Sequence, residues 1–104
     1  MPVVVVATMT VKPESVDTAR EILTRAVEGV HEEPGCQLYS LHQTGDTFVF
    51  VEQWADEEAL KAHSSAPAMG AMVKAIGEHL AGAPDIKMLQ PVPAGDRDKG
   101  QLRP

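Results

Sequence analysis

The run VVVVATMTV, residues 3 to 11, constrains the fold more than any other stretch of the chain. β-Branched residues dominate it, which favours an extended strand. Its odd positions, Val3, Val5, Ala7, Met9 and Val11, are all apolar. Its even positions begin with Val4 and Val6 and then turn to Thr8 and Thr10. Side chains alternate across a strand. One face is therefore buried along the whole run, and the other along about half of it. Such a strand needs a sheet covered on both sides.

The following segments supply the cover for one side. After the turn KPES, with Ser15 as the expected N-cap, Val16, Ala19, Ile22, Leu23, Ala26, Val27 and Val30 recur at helical spacing. That amphipathic helix stops at EEPG, because Pro34 and Gly35 prevent its continuation. Residues 36–43 and 47–54 read as two strands of a hairpin joined by TGD. With a three-residue loop, 44–46, Phe48, Phe50, Glu52 and Trp54 share a face with His42, Ser40, Leu38 and Cys36. Val49 and Val51 then share the other face with Leu41 and Tyr39. A short helix over ADEEALKAH starts near Asp56, and Ser65 with Pro67 starts another that carries Met69, Met72, Val73, Ile76 and Leu80. DIKMLQPV, residues 85–92, reads as a last, edge strand.

The order β-α-β-β-α-α-β predicts an α+β, ferredoxin-like domain over residues 1–92. It has a four-stranded antiparallel sheet with its helices on one face. Residues 93–104 read as a polar C-terminal tail. The helices leave the second face of the sheet uncovered. In the expected register Val4, Val6, Val49, Val51, Leu41 and Tyr39 lie there, and a clustered apolar sheet face marks an association surface. The expectation is a twofold homodimer, sheet against sheet.

Net charge is −6, and the nine basic residues are scattered. No basic stripe faces a phosphate backbone or an anionic membrane, so neither nucleic acid nor membrane is an expected partner. The N-terminus has no basic region before its short apolar run, and one cysteine excludes an intrachain disulfide. A cytoplasmic location is expected. The four histidines sit on separate elements without metal-ligand spacing, and no glycine-rich nucleotide motif or G-x-S-x-G elbow occurs. Metal and cofactor are therefore expected to be none. Cys36 reads better as a small buried hydrophobe than as a nucleophile.

A pocket is the remaining chemical opportunity. Phe48, Phe50 and Trp54 share one face of one strand, and Met69 and Met72 lie on a helix expected to face it. Aromatic faces and flexible thioethers suit a planar organic ligand as well as an ordinary core. His63 ends the short helix just beyond Trp54, and His42 and Ser40 are expected to point into the same space. A histidine in an apolar cleft is a candidate proton acceptor; at a helix C-terminus it equally complements the dipole.

The stretches EEPGCQLY and FVFVEQWADEEALKAHSSAPAM resemble the antibiotic biosynthesis monooxygenase family. The matching positions are Glu32 or Glu33, Gly35, Glu52, Gln53, Trp54, His63 and Pro67, and the resemblance runs from about residue 3 to residue 92. It implies a dimeric α+β barrel with one pocket per subunit between sheet and helices. It also implies oxygenation of an aromatic or quinol substrate by O₂ without flavin, haem or metal. In the polyketide-oxidising branch Trp54 matches, while Phe50 stands at an asparagine position and Leu60 at a tyrosine position. In the haem-degrading branch the corresponding positions are Ala7, His63 and Val73, so the iron-ligating histidine is replaced by valine. The pattern is most similar to the small quinol-monooxygenase-like members. The expected site therefore has His63 and Trp54 as catalytic residues, with Phe50, His42, Leu60, Met69, Met72, Val73 and Ala7 binding substrate. A non-oxidative isomerase of a small metabolite, and a binding module for haem or a hydrophobic ligand, are the alternatives.

Overall fold

A computed structural model describes residues 1–104. The strands are β1 (Val3–Thr10), β2 (Cys36–Thr44), β3 (Thr47–Trp54) and β4 (Asp85–Leu89), and the helices are α1 (Val16–His31), α2 (Glu57–Ser64) and α3 (Pro67–Ile76). The strands form one antiparallel sheet in the order β2-β3-β1-β4. This is the expected α+β, ferredoxin-like arrangement, with β1 and β3 central and β4 at an edge.

Helix starts follow local chemistry. Asp56 caps α2, accepting from the Ala59 amide at 2.8 Å. Pro67 opens α3, where its missing N–H costs nothing. Ser15 precedes α1 but does not cap it. It ends a short 3₁₀ turn, and its Oγ pairs with His79 Nδ1 at 2.9 Å instead. Ser65 closes α2 and leaves Ala66 as the first flank of α3.

The hairpin register differs from the expectation by one residue. Thr44 pairs with Thr47, so the loop is only Gly45 and Asp46. Gly45 has φ +58°, the left-handed first position that a tight II′-type turn requires. Each β2 residue from Leu38 to Thr44 is thereby moved to the face opposite the one expected. Tyr39 and Leu41 oppose Glu52 and Phe50 on the helix side, and Ser40 and His42 oppose Val51 and Val49 on the outer side. A β-bulge between Cys36 and Leu38 then restores the pairing of Cys36 with Trp54.

Between sheet and helices lies a core that includes Val5, Met9, Ala19, Leu23, Val30, Phe48, Phe50, Trp54, Met72 and Ile76. The outer face keeps Val4, Val6, Val49 and Val51, and Leu38 replaces the expected Tyr39 and Leu41. The end of the tail returns to this face. Gln53, 2% exposed, donates through Nε2 to the Arg103 carbonyl at 3.2 Å and to Gln37 Oε1 at 2.8 Å.

Gly35 joins α1 to the sheet with φ +81°, and its carbonyl accepts from the Ala55 amide at 2.8 Å. A Cβ there would stand 2.5 Å from Ala59 Cβ on α2. Gly35→Ala combines a left-handed backbone with a helix–loop clash, and is expected to cost roughly 2 kcal/mol or more. Urea unfolding of the two proteins checks it; an unchanged midpoint contradicts the close approach.

Candidate functional site

A cavity of about 460 Å³ opens between the sheet and α2 and α3, within the range of small-molecule sites. β1 contributes Val5, Ala7 and Met9; the β2–β3 hairpin contributes Tyr39, Phe50 and Glu52; the helices contribute Leu60, His63, Met69, Met72, Val73 and Ile76. Ile86 and Met88 of β4 also line it and stay largely exposed, as does Val73. The edge strand thus forms an open, apolar mouth. No lysine or arginine lines the cavity.

His63 is 3% exposed, and its ring is fixed on two sides. The Trp54 indole stacks on it with centroids 4.5 Å apart and planes 29° apart. Tyr39 meets it edge-on at 5.5 Å. Nδ1 lies 2.8 Å from Glu33 Oε1. With Glu33 as a carboxylate, that contact places a proton on Nδ1 and leaves the Nε2 lone pair free. Glu33 stands in the loop after α1, where EEPG ends the helix, and it borders a separate groove beside α2. Its Oε2 is the buried side-chain polar atom without a partner.

Glu52 is the second titratable group of the cavity. It is 4% exposed, and its Oε1 accepts from Trp54 Nε1 at 2.9 Å. Burial pushes its carboxyl pKa up, and the nearby Glu33 charge adds to that. The indole hydrogen bond and His63 act in the opposite sense. Burial, and then Glu52 and Glu33, also push the Tyr39 phenol up. Cys36 is half-buried and its thiol is raised by the same causes, so it has no enhanced thiolate character.

The cavity therefore gathers Ala7, Phe50, Leu60, His63, Met69, Met72 and Val73 of the residues singled out by sequence. Trp54 and His42 stand apart. Trp54 is fully buried behind His63, its N–H is taken by Glu52, and it is not a wall of the cavity. His42 is exposed on the outer sheet face, bonded to Ser40 Oγ at 2.9 Å, because the tighter turn reverses its side. Sequence reasoning missed Glu52, Glu33 and Tyr39 as site residues. The available signal was Glu52 itself, a carboxyl in the inward alternation Phe48, Phe50, Glu52, Trp54.

Residues 2–75 match the family described as antibiotic biosynthesis monooxygenase. Among solved structures, a candidate antibiotic biosynthesis monooxygenase from Caulobacter crescentus CB15 is 30% identical. Its TM-score is 0.83, with 88% of this chain and 90% of that one covered. Rv0793 from Mycobacterium tuberculosis shares the fold, with a TM-score of 0.85, 24% identity, and 92% and 100% coverage. Protein sll1783 of Synechocystis sp. is 29% identical over 90 residues, 84% of this chain and 61% of that protein. The chain thus spans about three fifths of the length of this curated relative.

Because the raised Glu52 pKa means the fold prefers its protonated form, the sign of a pH effect on stability follows. Glu52 is least costly below its ordinary carboxylate pKa, and stability falls as pH rises through the raised folded value. Glu52→Gln removes this loss and keeps an acceptor for Trp54. The melting temperature of the variant relative to wild type is expected to climb from pH 4 to pH 8. A constant difference across that range contradicts the buried acid.

Proposed function

The chain belongs to the antibiotic biosynthesis monooxygenase family, and from that premise we propose that it oxygenates a small quinol-type aromatic with O₂. The observation that carries the reading is His63, on the wall of a mostly apolar cavity and hydrogen-bonded to Glu33 outside it. O₂ is a triplet and reacts slowly with closed-shell molecules. An electron-rich anion passes it one electron far more readily than the neutral quinol does. The protein's task is to make that anion and keep it from water.

His63 takes a phenolic proton at Nε2, and the Glu33 carboxylate balances the imidazolium that forms. Phe50, Leu60, Met69 and Met72 hold the ring in a dry, polarizable enclosure, and Ala7 leaves room for it at the sheet. Val73 stands at the mouth. The quinol anion gives one electron to O₂, and the radical pair joins as a carbon-bound peroxide. Loss of the C–H proton and cleavage of the O–O bond leave a hydroxyquinone and water. Quinol and O₂ supply all the atoms and electrons of these two products.

The outer face of the sheet takes a second copy of the chain. Val6, Val49 and Val51 lie half-exposed on two adjacent central strands there, as an isologous apolar contact requires. Val51→Lys is expected to shift the protein from dimer to monomer in sedimentation equilibrium. A wild-type protein that sediments as a monomer at micromolar concentration contradicts the pairing.

Oxygen uptake with hydroquinone and 1,2-dihydroxybenzene tests the reaction. His63→Gln is expected to lower kcat by about a hundredfold, the scale of a lost general base. Turnover that proceeds equally fast without oxygen replaces the oxygenase reading with a non-oxidative isomerase.

A further inference from the structure

We propose that Glu52 is the proton donor of the reaction, delivering its carboxyl proton to the oxygen that leaves as water. The inference rests on the oxygenase reading and assigns the half of the proton traffic that His63 does not carry. Peroxide cleavage in an apolar cavity releases hydroxide unless an acid stands beside it. The same step needs a base for the C–H proton. A single histidine cannot be both at once, and no lysine, arginine or second histidine lines the space.

Glu52 meets the geometric needs of an acid. It sits on β3 with its side chain on the cavity wall, opposite Val5 of β1 and Tyr39 of β2. Trp54 Nε1 holds Oε1, which fixes the carboxyl in one orientation and leaves Oε2 to carry the proton. The titratable groups near it are His63 on α2, Tyr39 and Cys36 on β2, and Glu33 in the loop after α1. Two of these, His63 and Glu33, are hydrogen-bonded to each other at 2.8 Å. Tyr39 and Cys36 stay neutral, since burial raises both. Burial acts on Glu52 in the same direction and favours its protonated form. Environment thus pushes the two cavity groups into opposite roles, a neutral acid and a free base.

The step balances. The phenolic proton held by His63 first passes to the distal peroxide oxygen, which frees Nε2. The O–O bond then breaks, its pair goes to the distal oxygen, and the Glu52 O–H bond breaks to complete water. The carbon bearing the peroxide becomes a carbonyl as its C–H proton leaves to His63. Glu52 regains a proton when His63 discharges at the end of the cycle.

Glu52→Gln keeps the volume and the acceptor for Trp54 but has no acidic proton. With hydroquinone its kcat is expected to fall about a hundredfold, with KM within threefold of wild type and hydrogen peroxide released. The alkaline decline of the wild-type kcat profile is expected to vanish in this variant, which a merely structural role would not cause. Infrared difference spectra at pH 7 supply a readout apart from turnover. Wild type is expected to show the carbonyl stretch of a protonated buried carboxyl, and the variant to lack it. Quinol turnover in the variant within threefold of wild type, or a wild type without that band, overturns the donor alone. A wild type inert toward every quinol overturns the oxygenase reading and the donor with it.

Discussion

The structure depends on the two-residue turn at Gly45–Asp46. Its left-handed glycine matches the twist of the flanking strands and fixes the β2–β3 register. Side chains alternate with a period of two, so a slip of one residue turns a strand inside out. With the shorter loop, Tyr39 and Leu41 face the helices and Ser40 and His42 face outward. The longer loop would line the same space with a histidine and a serine and leave the only tyrosine on the outer face. The apolar character of the cavity follows from where one glycine places the turn.

That turn also shows what the sequence made legible and what it did not. Periodicity located the four strands and three α-helices, because β-branched alternation in β1 and the 3.6-residue repeat in α1 are both strong signals. But α3 ends at Ile76, and Leu80, expected on it, instead bridges Val11 beyond a 3₁₀ turn. The choice between a two- and a three-residue loop was not legible, since TGD and GD both supply turn chemistry. The bulge between Cys36 and Leu38 has no distinctive residue either. It reverses the slip at the turn, so the expected pairing of Cys36 with Trp54 is met although the residues between lie on the other side. Seven of the nine candidate site residues line the cavity. Phe50, Met69 and Met72 were readable from inward alternation on β3 and the apolar stripe of α3, His63 from its place just beyond the Trp54 strand, and Ala7, Leu60 and Val73 from the family resemblance. Trp54 and His42 do not, one for depth of burial and the other for register. Neither quantity is local. Glu33 was unreadable as a partner because 30 residues separate it from His63.

The electrostatics of the site follow from a shortage of positive charge. Glu52 meets His63 within the cavity and Glu33 reaches it from a separate groove, and no lysine or arginine lines the cavity. Both carboxylates cannot be charged there without a large penalty. Glu33 reaches a second groove and takes the histidine. Glu52 is closed off and bonded only to a neutral indole, so burial outweighs its partners and favours the acid. The two groups differ in environment rather than in chemistry, and in the proposed reaction that difference sets their roles.

In the proposed reaction Trp54 links those two roles. Its face lies on His63 and its edge N–H holds Glu52, so one rigid bicyclic ring touches both groups. When His63 gains a proton, the indole face stabilises the cation. When Glu52 gives up a proton, the indole N–H stabilises the carboxylate that remains. The same residue therefore favours the charged form of each group, opposing the effect of burial on Glu52. A fully buried side chain can influence a reaction in this way without lining the space where it occurs, which is why the sole tryptophan is at once absent from the cavity wall and central to its geometry.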